Sequence, residues 1–319
     1  MKWKDAIWPI VGLAAVVLSC WILYKEVRGL SLDDIWVSFQ NVSVHQWALS
    51  IVCALLAYAV LAYYDRLALR HLGRKVSLPF VAATSFTTYA LSHNIGASVF
   101  SGAVVRYRAY SSRGLTPSEI ALLIAFCSFT FALGILVLTA VTQLADPTMI
   151  RRYVDVDPWV PVGLAILILV LVGLYVFGSF RGFPPRKIGG FLLQYPRRDV
   201  VLRQLIAAPL EIVAAAGIIY FALPPETNPG FVIVLAIFVV SFSLALVSHA
   251  PGGLGVLEVT FLTGLSDVPE TDVLAALFVF RILYLLIPFA VAIVMVLSFE
   301  QSVMRQRRRS AAGVTAPRT

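Results

Sequence analysis

Long apolar runs separated by short polar stretches are the main pattern of this sequence. Most of the runs have about the 20 residues that an α-helix needs to cross the hydrocarbon core of a bilayer. The strict alternation of apolar and polar residues that marks a membrane β-strand is absent, so the pattern predicts helices. The runs cover residues 7–24, 47–64, 120–144, 159–180, 200–223, 231–247 and 273–299.

Composition agrees with an all-α polytopic membrane protein. Of the 319 residues, 60% are hydrophobic and only 13% are charged, which is too few charges to cover a soluble fold. The longest polar connections, 25–46 and 181–199, are far shorter than the ~100 residues of an ordinary soluble domain. We therefore expect one membrane domain over residues 1–300, followed by a basic, disordered cytoplasmic tail over 301–319.

Metal, nucleotide and disulfide chemistry find no support in the sequence. The histidines and cysteines lie far apart, without HExxH or paired cysteine spacing, and no P-loop occurs. The Arg-rich tail directly follows an apolar run, which favours anionic headgroups over nucleic acid as its partner. We expect no metal, no cofactor and no nucleic acid. The cysteines are Cys20, Cys53 and Cys127.

The distribution of basic residues predicts the topology. If segments 80–105 and 231–266 each return to the side from which they enter, most of the 25 Lys and Arg residues face the side of the N-terminus. The positive-inside rule then assigns that side to the cytoplasm, with both termini there. The result is about six full transmembrane helices plus two broken, re-entrant hairpins in the cytoplasmic membrane. Eight full spans are the alternative, but they place basic segments such as 181–203 outside.

The two re-entrant segments are similar to each other. The sequence SFTTYALSHNIGASV from Ser85 matches SFSLALVSHAPGGLGV from Ser241, and after a shift of three residues 115–120 lies beside 268–273. In both copies a Ser or Thr followed by an acid precedes a long apolar run, which is typical of a helix start. Because the copies enter from opposite sides, they predict an inverted-topology repeat, as in many secondary transporters. The predicted repeat halves are about 80–145 and 231–300.

Glycine and proline at the two breaks predict the hairpin tips. Glycine lets the backbone turn sharply, and proline cannot continue a regular helix. A spanning helix that is kinked at close-packing glycines is the alternative. The predicted tip residues are Gly96, Gly102, Pro251, Gly252, Gly253 and Gly255.

Polar and charged side chains near the tips and inside the apolar runs form the candidate site. A charge at the bilayer centre costs about 2.5–3.5 kcal/mol, so these groups should face a cavity or one another. Glycine amides and arginines suit a phosphate and glutamates suit an amine, which together describe a lipid headgroup. The candidate substrate-binding residues are His93, Asn94, Arg106, Arg108, Glu211, His249, Glu258 and Arg281.

Structural roles compete with substrate binding at each of these positions. Glu211 and Arg281 suit a buried ion pair. Arg106 and Arg108 suit interfacial anchors whose charged ends reach the headgroups. The polar residues at the tips suit hydrogen bonds that cap the broken helices. At the level of sequence, both sets of roles stay open.

Two ordered motifs resemble those of a known membrane family. HNIG at 93–96 with SGAVVRYRAY at 101–110 is similar to its first motif, and PGGLG at 251–255, followed by Glu258 and Arg281, is similar to its second. The family is the transmembrane flippase domain of lysylphosphatidylglycerol synthases (the multiple peptide resistance factor), which stand-alone membrane proteins share. In its two-part members a soluble domain attaches lysine or alanine from aminoacyl-tRNA to phosphatidylglycerol. The membrane domain then moves the product outward, which gives resistance to cationic antimicrobial peptides.

The resemblance implies that this chain moves a lipid, as a flippase or scramblase, and is not itself a synthase. We expect an anionic or aminoacylated phospholipid such as lysylphosphatidylglycerol, with Arg106 and Arg281 on its phosphate. Glu211 and Glu258 would then attract the amine or carry a coupling proton. Two alternatives remain: a non-catalytic partner of a separate lipid-modifying synthase, and a membrane-embedded enzyme with Glu258 and His249 as acid and base. A homo-oligomer also stays open.

Overall fold

The computed structural model describes most of the chain from residue 42 onward. Four sequence-based predictions lie outside the described residues: the first span at 7–24, the tip glycine Gly96, His249, and nearly all of the basic tail. The described residues are 37, 40, 42–95, 98–182, 186–188, 191–193, 195–248, 251–253, 255–298 and 301.

Helices account for most of the described residues. They are α1 (Val44–His71), α2 (Leu78–Ile95), α3 (Ser98–Ser111), α4 (Pro117–Ala145), α5 (Trp159–Arg181), α6 (Arg198–Ala222), α7 (Phe231–Ser248), α8 (Val256–Gly264) and α9 (Glu270–Ser298). Two 3₁₀ turns lie at Met149–Arg152 and Pro251–Gly253, and α9 contains a π-helical segment, Arg281–Leu286. Five helices, α1, α4, α5, α6 and α9, are long and apolar enough to cross a membrane. The structure confirms a polytopic, helical membrane protein.

One short strand pair is an exception to the all-α prediction. Strands β1 (Arg186–Ile188) and β2 (Phe191–Leu193) pair antiparallel in the connection between α5 and α6, with Arg186 opposite Leu193. Strands of three residues are too short to give a recognisable alternation of apolar and polar positions, which is why the hydrophobic pattern did not predict them.

Local capping explains where two of the spans begin. The Ser43 hydroxyl accepts a hydrogen bond from the Gln46 amide, and the Gln46 side chain accepts one from the Ser43 amide. Thr116 and Glu119 make the same reciprocal pair at the start of α4. The predicted Ser or Thr start of α9 was wrong. This helix begins at Glu270 after Pro269, which has no side-chain hydrogen bond to the helix and fixes the chain direction through its ring.

Helices α1 and α6 run antiparallel along their whole length and define the two ends of the bundle. The Gln46 side chain donates to the Leu223 carbonyl at 2.9 Å at one end, and Arg70 pairs with Asp199 at 2.6 Å at the other. We call the end with residues 70–78, 112–117 and 195–199 the basic end. The opposite end, with residues 145–159, 223–230 and 264–272, is the acidic end. Of the described spans α6 is the most buried and α5 the least.

The two broken helices enter the bundle from opposite ends. Helix α2 begins and α3 ends at the basic end, where the Arg113 guanidinium lies 4.2 Å from the centre of the Phe80 ring. Helix α7 begins and α8 ends at the acidic end, where Arg152 donates to the Gly264 carbonyl at 2.6 Å. This confirms two re-entrant hairpins of opposite direction and is incompatible with eight full spans.

Helix boundaries recur along the chain in a way that agrees with a repeat. Helices α2 and α7 both have 18 residues. They begin 153 positions apart, at Leu78 and Phe231, as do α4 and α9, at Pro117 and Glu270. The match of SFTTYALSH with SFSLALVSH differs by three positions from this spacing. An ancestral duplication with halves at about 80–145 and 231–300 stays a prediction.

Candidate functional site

The tip of the second hairpin is built from glycine backbone that other residues rarely adopt. Gly252, Gly253 and Gly255 have φ angles of 60°, 67° and 76°, in the left-handed region where a Cβ is strained. A Cβ on Gly253 would also lie 2.2 Å from a methyl carbon of Leu257. This tip packs against α2 of the first hairpin. The hairpins therefore meet inside the bundle.

Gly102 was predicted as a tip residue, and that prediction was wrong. It lies inside α3, where an added Cβ would be 2.6 Å from the hydroxyl oxygen of Ser92 on α2. The missing side chain allows the two arms of the hairpin to approach closely. Its role is packing, since it lies four residues after the start of α3.

Glu258 pairs with Arg281 just beyond the second tip. The Arg281 Nε atom donates to Oε1 of Glu258 at 2.9 Å, and Nη2 donates to the same oxygen. The other oxygen of Glu258 accepts the Gly255 amide at 2.8 Å, so the carboxylate also caps α8. The Arg281 side chain is 6% exposed and that of Glu258 is 27% exposed. The pair thus has one buried partner and one partner that is open to the surroundings.

The π-helical segment of α9 is held by side chains from two other helices. The Tyr58 hydroxyl of α1 donates to the Tyr284 carbonyl at 2.9 Å. The Asn94 amide of α2 donates to the Leu285 carbonyl at 3.1 Å and to the Ala90 carbonyl at 2.8 Å. A π segment leaves carbonyls available for such donors and is frequent at functional sites. Asn94 thus ties the end of α2 to α9, and its capping or substrate role stays a prediction.

Glu211 is buried beside Tyr284 and has no basic partner among the described residues. Its Oε1 atom accepts a hydrogen bond from the Tyr284 hydroxyl at 2.6 Å. Its Oε2 atom is buried without a hydrogen-bond partner in the described part of the chain, and the residue is 2% exposed. The predicted alternative, an ion pair between Glu211 and Arg281, does not form, since Arg281 pairs with Glu258.

His93 lies on the other face of Tyr284. Its ring stacks on the Tyr284 ring with centroids 5.1 Å apart, and its edge meets the Phe242 ring at 6.2 Å. Its Nδ1 atom is buried and has no hydrogen-bond partner among the described residues. Neighbouring Tyr89 is 5.8 Å from the histidine ring. His93 thus has no completed capping role and stays a candidate for substrate or proton contact.

Arg106 is a buried member of an ion pair and not the predicted interfacial anchor. Its Nη2 atom donates to the Asp65 carboxylate at 2.6 Å, and Asp65 itself has no exposed surface. The Tyr110 hydroxyl donates to the same carboxylate at 2.8 Å. The guanidinium also lies 4.8 Å from the centre of the Tyr89 ring. Arg108 is half-buried.

The candidate residues lie in one region of the bundle, which we call the central polar cluster. Tyr89 touches both Arg106 and His93, and Tyr284 joins His93 to Glu211. The Glu258–Arg281 pair adjoins this group through α9, on which Arg281 lies three residues before Tyr284. Its members are Asp65, Tyr89, His93, Arg106, Glu211, Glu258, Arg281 and Tyr284. The described residues contain no group of His, Cys, Asp or Glu side chains that could hold a metal ion.

Three members of this cluster were not among the site residues predicted from the sequence. Asp65 directly follows an apolar run and precedes Arg66, so it read as part of a polar connection. One signal was available. Asp65 lies four residues after the apolar Leu61, so on a helix that continues to His71 it shares the buried face of Leu61. Tyr89 and Tyr284 lie within apolar runs, where tyrosine gives no distinguishing pattern.

The acidic end fixes the second hairpin through Tyr153. Its hydroxyl donates to the Thr260 carbonyl of α8 at 3.0 Å. Burial raises the pKa of Tyr153 to about 12, so the hydroxyl keeps its proton at ordinary pH. A Cβ on Gly264 would lie 2.2 Å from the same hydroxyl oxygen. The far end of α8 is therefore held while its tip reaches the central polar cluster.

Comparison with known proteins identifies the family. The family model described as the lysylphosphatidylglycerol synthase TM region matches residues 10–292 of this chain. The chain belongs to this family of integral membrane proteins, as the HNIG and PGGLG motifs predicted.

Relatives of two lengths share this region. An uncharacterized protein of Synechocystis sp. is 29% identical over 307 residues, which cover 95% of this chain and 94% of that protein. The inner membrane protein YbhN of Escherichia coli is 26% identical over the same coverage. The phosphatidylglycerol lysyltransferase of Staphylococcus aureus (strain COL) is 28% identical over 283 residues, which are 87% of this chain but 32% of that enzyme. The similarity to the enzyme is confined to its membrane region.

Proposed function

We propose that this protein moves a phospholipid between the leaflets of the cytoplasmic membrane. The observation that carries the proposal is the pair of re-entrant hairpins that enter from opposite ends and meet at the central polar cluster. In secondary transporters such broken helices place binding groups near the membrane midplane, where either side can reach them in turn. The family match and the inner membrane relative support a membrane role of this kind.

The Glu258–Arg281 pair is the proposed headgroup site. A headgroup with a phosphate and an ammonium, such as that of lysylphosphatidylglycerol, can replace both partners of the pair at once. The phosphate then binds Arg281 and the ammonium binds Glu258, so no buried charge is left unpaired. The greater exposure of Glu258 makes it the side from which the headgroup approaches.

Glu211 is the proposed carrier of a coupling proton. A proton is the smallest cation that can neutralise a buried carboxylate without a basic partner, and such acids in membrane helices serve as proton relays. His93 lies across Tyr284 with a nitrogen that has no hydrogen-bond partner among the described residues, which offers a second position for the proton. In this scheme the proton gradient supplies the driving force.

The function is tested by leaflet exchange in vesicles that contain the purified protein. Headgroup-labelled phosphatidylglycerol and its lysyl ester are placed in one leaflet, and their appearance in the other is followed with a reagent that cannot cross the bilayer. The Glu258→Gln variant is expected to slow the lysyl ester more than phosphatidylglycerol, because only the ester needs a partner for its ammonium. Exchange of both lipids at the rate of protein-free vesicles would contradict the proposal.

A further inference from the structure

An open groove of ≈ 350 Å³ lies between α1 and α6, away from the central polar cluster. It is lined by two alanines, three branched apolar side chains, a tyrosine and an arginine. The lining residues are Ala59, Val60, Tyr63, Arg203, Ile206, Ala207 and Leu210. Ile206 is 68% exposed and Leu210 is 36% exposed, so the groove opens on the outer surface of the bundle.

The polar end of the groove points towards the basic end of the bundle. The Arg203 guanidinium donates to the Tyr63 hydroxyl at 3.2 Å. Closer to the basic end, two turns beyond Tyr63 on α1 and one turn before Arg203 on α6, Arg70 pairs with Asp199 at 2.6 Å. Arg66 lies between these two contacts on the same face of α1, because residues three and four apart share a helix face. Both Arg66 and Arg203 are exposed.

This arrangement has the polarity of one phospholipid. The arginine and hydroxyl form a donor group at one end, and beyond it the groove is lined by apolar side chains, among them the small residues Ala59 and Ala207. Arginine reaches the membrane interface from within a span by extending its side chain towards the headgroups. Among Arg66, Arg70, Arg203 and Asp199 the positive charges exceed the negative, which favours an anionic headgroup.

We propose that this groove binds an anionic phospholipid from the leaflet at the basic end, with its phosphate on Arg203 and Tyr63 and an acyl chain along Ala59 and Ala207. Binding of a lipid in this groove does not require that the protein moves lipids across the membrane. Its role as the loading point for transport rests on the proposed function.

The groove is one helix layer away from the central polar cluster. Behind its floor the buried Tyr64 hydroxyl donates to the Ala208 carbonyl at 2.9 Å and to the Ala207 carbonyl at 3.3 Å. Glu211 follows Ala207 by one helical turn on the buried side of α6. A lipid in the groove therefore lies against the helix that carries the proposed proton site.

Photo-crosslinking in vesicles of equimolar phosphatidylglycerol and phosphatidylethanolamine tests the binding. The photoreactive residue benzoylphenylalanine replaces Ile206 in the groove or, as a control, Leu174 on α5. The two positions are 68% and 59% exposed and lie at similar distances from the basic end. Mass spectrometry of the crosslinked lipid gives the ratio of the two headgroups at each position.

We expect phosphatidylglycerol to be enriched about fivefold at position 206 over position 174, the ratio that about 1 kcal/mol for one arginine near an anionic headgroup corresponds to. The Arg203→Gln change should remove the enrichment, and Arg203→Lys should keep part of it. Because Arg203 is exposed, both variants should fold, which size-exclusion chromatography checks.

Three results would overturn the inference: equal headgroup ratios at the two positions, an enrichment that survives Arg203→Gln, or crosslinks at 206 to a second copy of the chain. Leaflet exchange is measured on the same vesicles to separate this inference from the proposed function. If phosphatidylglycerol is enriched at position 206 but no leaflet exchange occurs, the binding groove is supported and the proposed translocation is contradicted. If exchange occurs without enrichment, translocation is supported and the binding groove is contradicted.

Discussion

Asp65 and Arg106 place two opposite charges in a part of the bundle that excludes solvent. The carboxylate accepts hydrogen bonds from Arg106 and from the Tyr110 hydroxyl, so its oxygens are satisfied. Such a pair contributes little relative to apolar side chains, but the loss of one partner strands the other charge. The pair therefore fixes how α3 sits against α1.

Removal of the Asp65 charge should destabilise the protein strongly. The Asp65→Asn variant leaves Arg106 without a counter-charge, and we expect a loss of about 3–5 kcal/mol in the free energy of unfolding. Thermal unfolding in detergent gives the measurement. The double variant Asp65→Asn with Arg106→Met should recover part of the loss, because no buried charge is then unpaired.

Asp199→Asn is the matched control for this prediction. It breaks the pair with Arg70, in which both side chains are well exposed, at 53% and 42%. An exposed pair contributes about 0–1 kcal/mol, so the shift in unfolding should be small. A loss at Asp199 as large as that at Asp65 would show that burial is not the cause.

Substitution of Glu211 distinguishes a role in proton transport from a purely structural role. The Glu211→Gln variant keeps an oxygen for the Tyr284 hydroxyl but cannot release a proton. We expect folding to be preserved and lipid exchange to lose its response to an imposed pH gradient. The exchange assay with and without the gradient gives the measurement, and Glu226→Gln, at an exposed acid, is the control. An unchanged response in Glu211→Gln would remove the proton role.

Among the helices, the close approach of α4 to α6 depends on Gly134. A Cβ at this position in α4 would lie 2.3 Å from the Ala208 carbonyl oxygen of α6. We expect Gly134→Ala to cost about 1–3 kcal/mol in unfolding free energy, because backbone must move to admit the methyl group. Gly173→Ala on α5 is the control, since nothing lies within 4 Å of its Cβ position. Equal unfolding temperatures for the two variants would contradict this packing.

The second hairpin tip is tested by comparing two glycines with similar backbone. Gly253 and Gly73 have φ angles of 67° and 69°, so alanine meets a similar backbone strain at both. Only Gly253 adds a close contact, with Leu257 at 2.2 Å. We expect Gly253→Ala to reduce lipid exchange and thermal stability well beyond Gly73→Ala. Indistinguishable variants would mean that this tip tolerates rearrangement.

Most of the membrane helices and both hairpins were predictable from the sequence for physical reasons. Runs of about 20 apolar residues mark membrane helices because lipid leaves few other conformations. The charge pattern around 80–105 and 231–266 further predicted the two hairpins and their opposite directions. The β1–β2 pair and the start of α9 were not predicted, since three-residue strands and a proline start carry weak local signals.

The candidate site was predictable only in part. Charges near the tips and inside apolar runs predicted Arg106, Glu211 and Arg281 as site residues, but their partners come from helices distant in sequence. The pairing of Arg106 with Asp65 joins residues 41 positions apart, and no local pattern specifies such a contact. Whether the named residues bind substrate stays a prediction, as does the role of His249, which lies outside the described residues.

At the scale of the whole molecule, the two ends of the bundle should face opposite sides of the membrane. In a background without native cysteines, single cysteines at Arg74 and Arg113 should react with an impermeant thiol reagent only from the cytoplasmic side. Cysteines at Asp155 and Asp267 should react only from outside, because the positive-inside rule predicts that the basic end faces the cytoplasm. Labelling of all four from one side would contradict the inverted arrangement of the hairpins.

The most direct test of the account is the rate of lipid exchange by the unmodified protein. Vesicles of defined composition carry headgroup-labelled lysylphosphatidylglycerol in one leaflet, with and without the purified protein. We expect the exchange rate to rise in proportion to the number of protein molecules per vesicle and to fall in the Arg281→Gln variant. An exchange rate that is independent of the protein, for this lipid and for phosphatidylglycerol, would contradict translocation as its function.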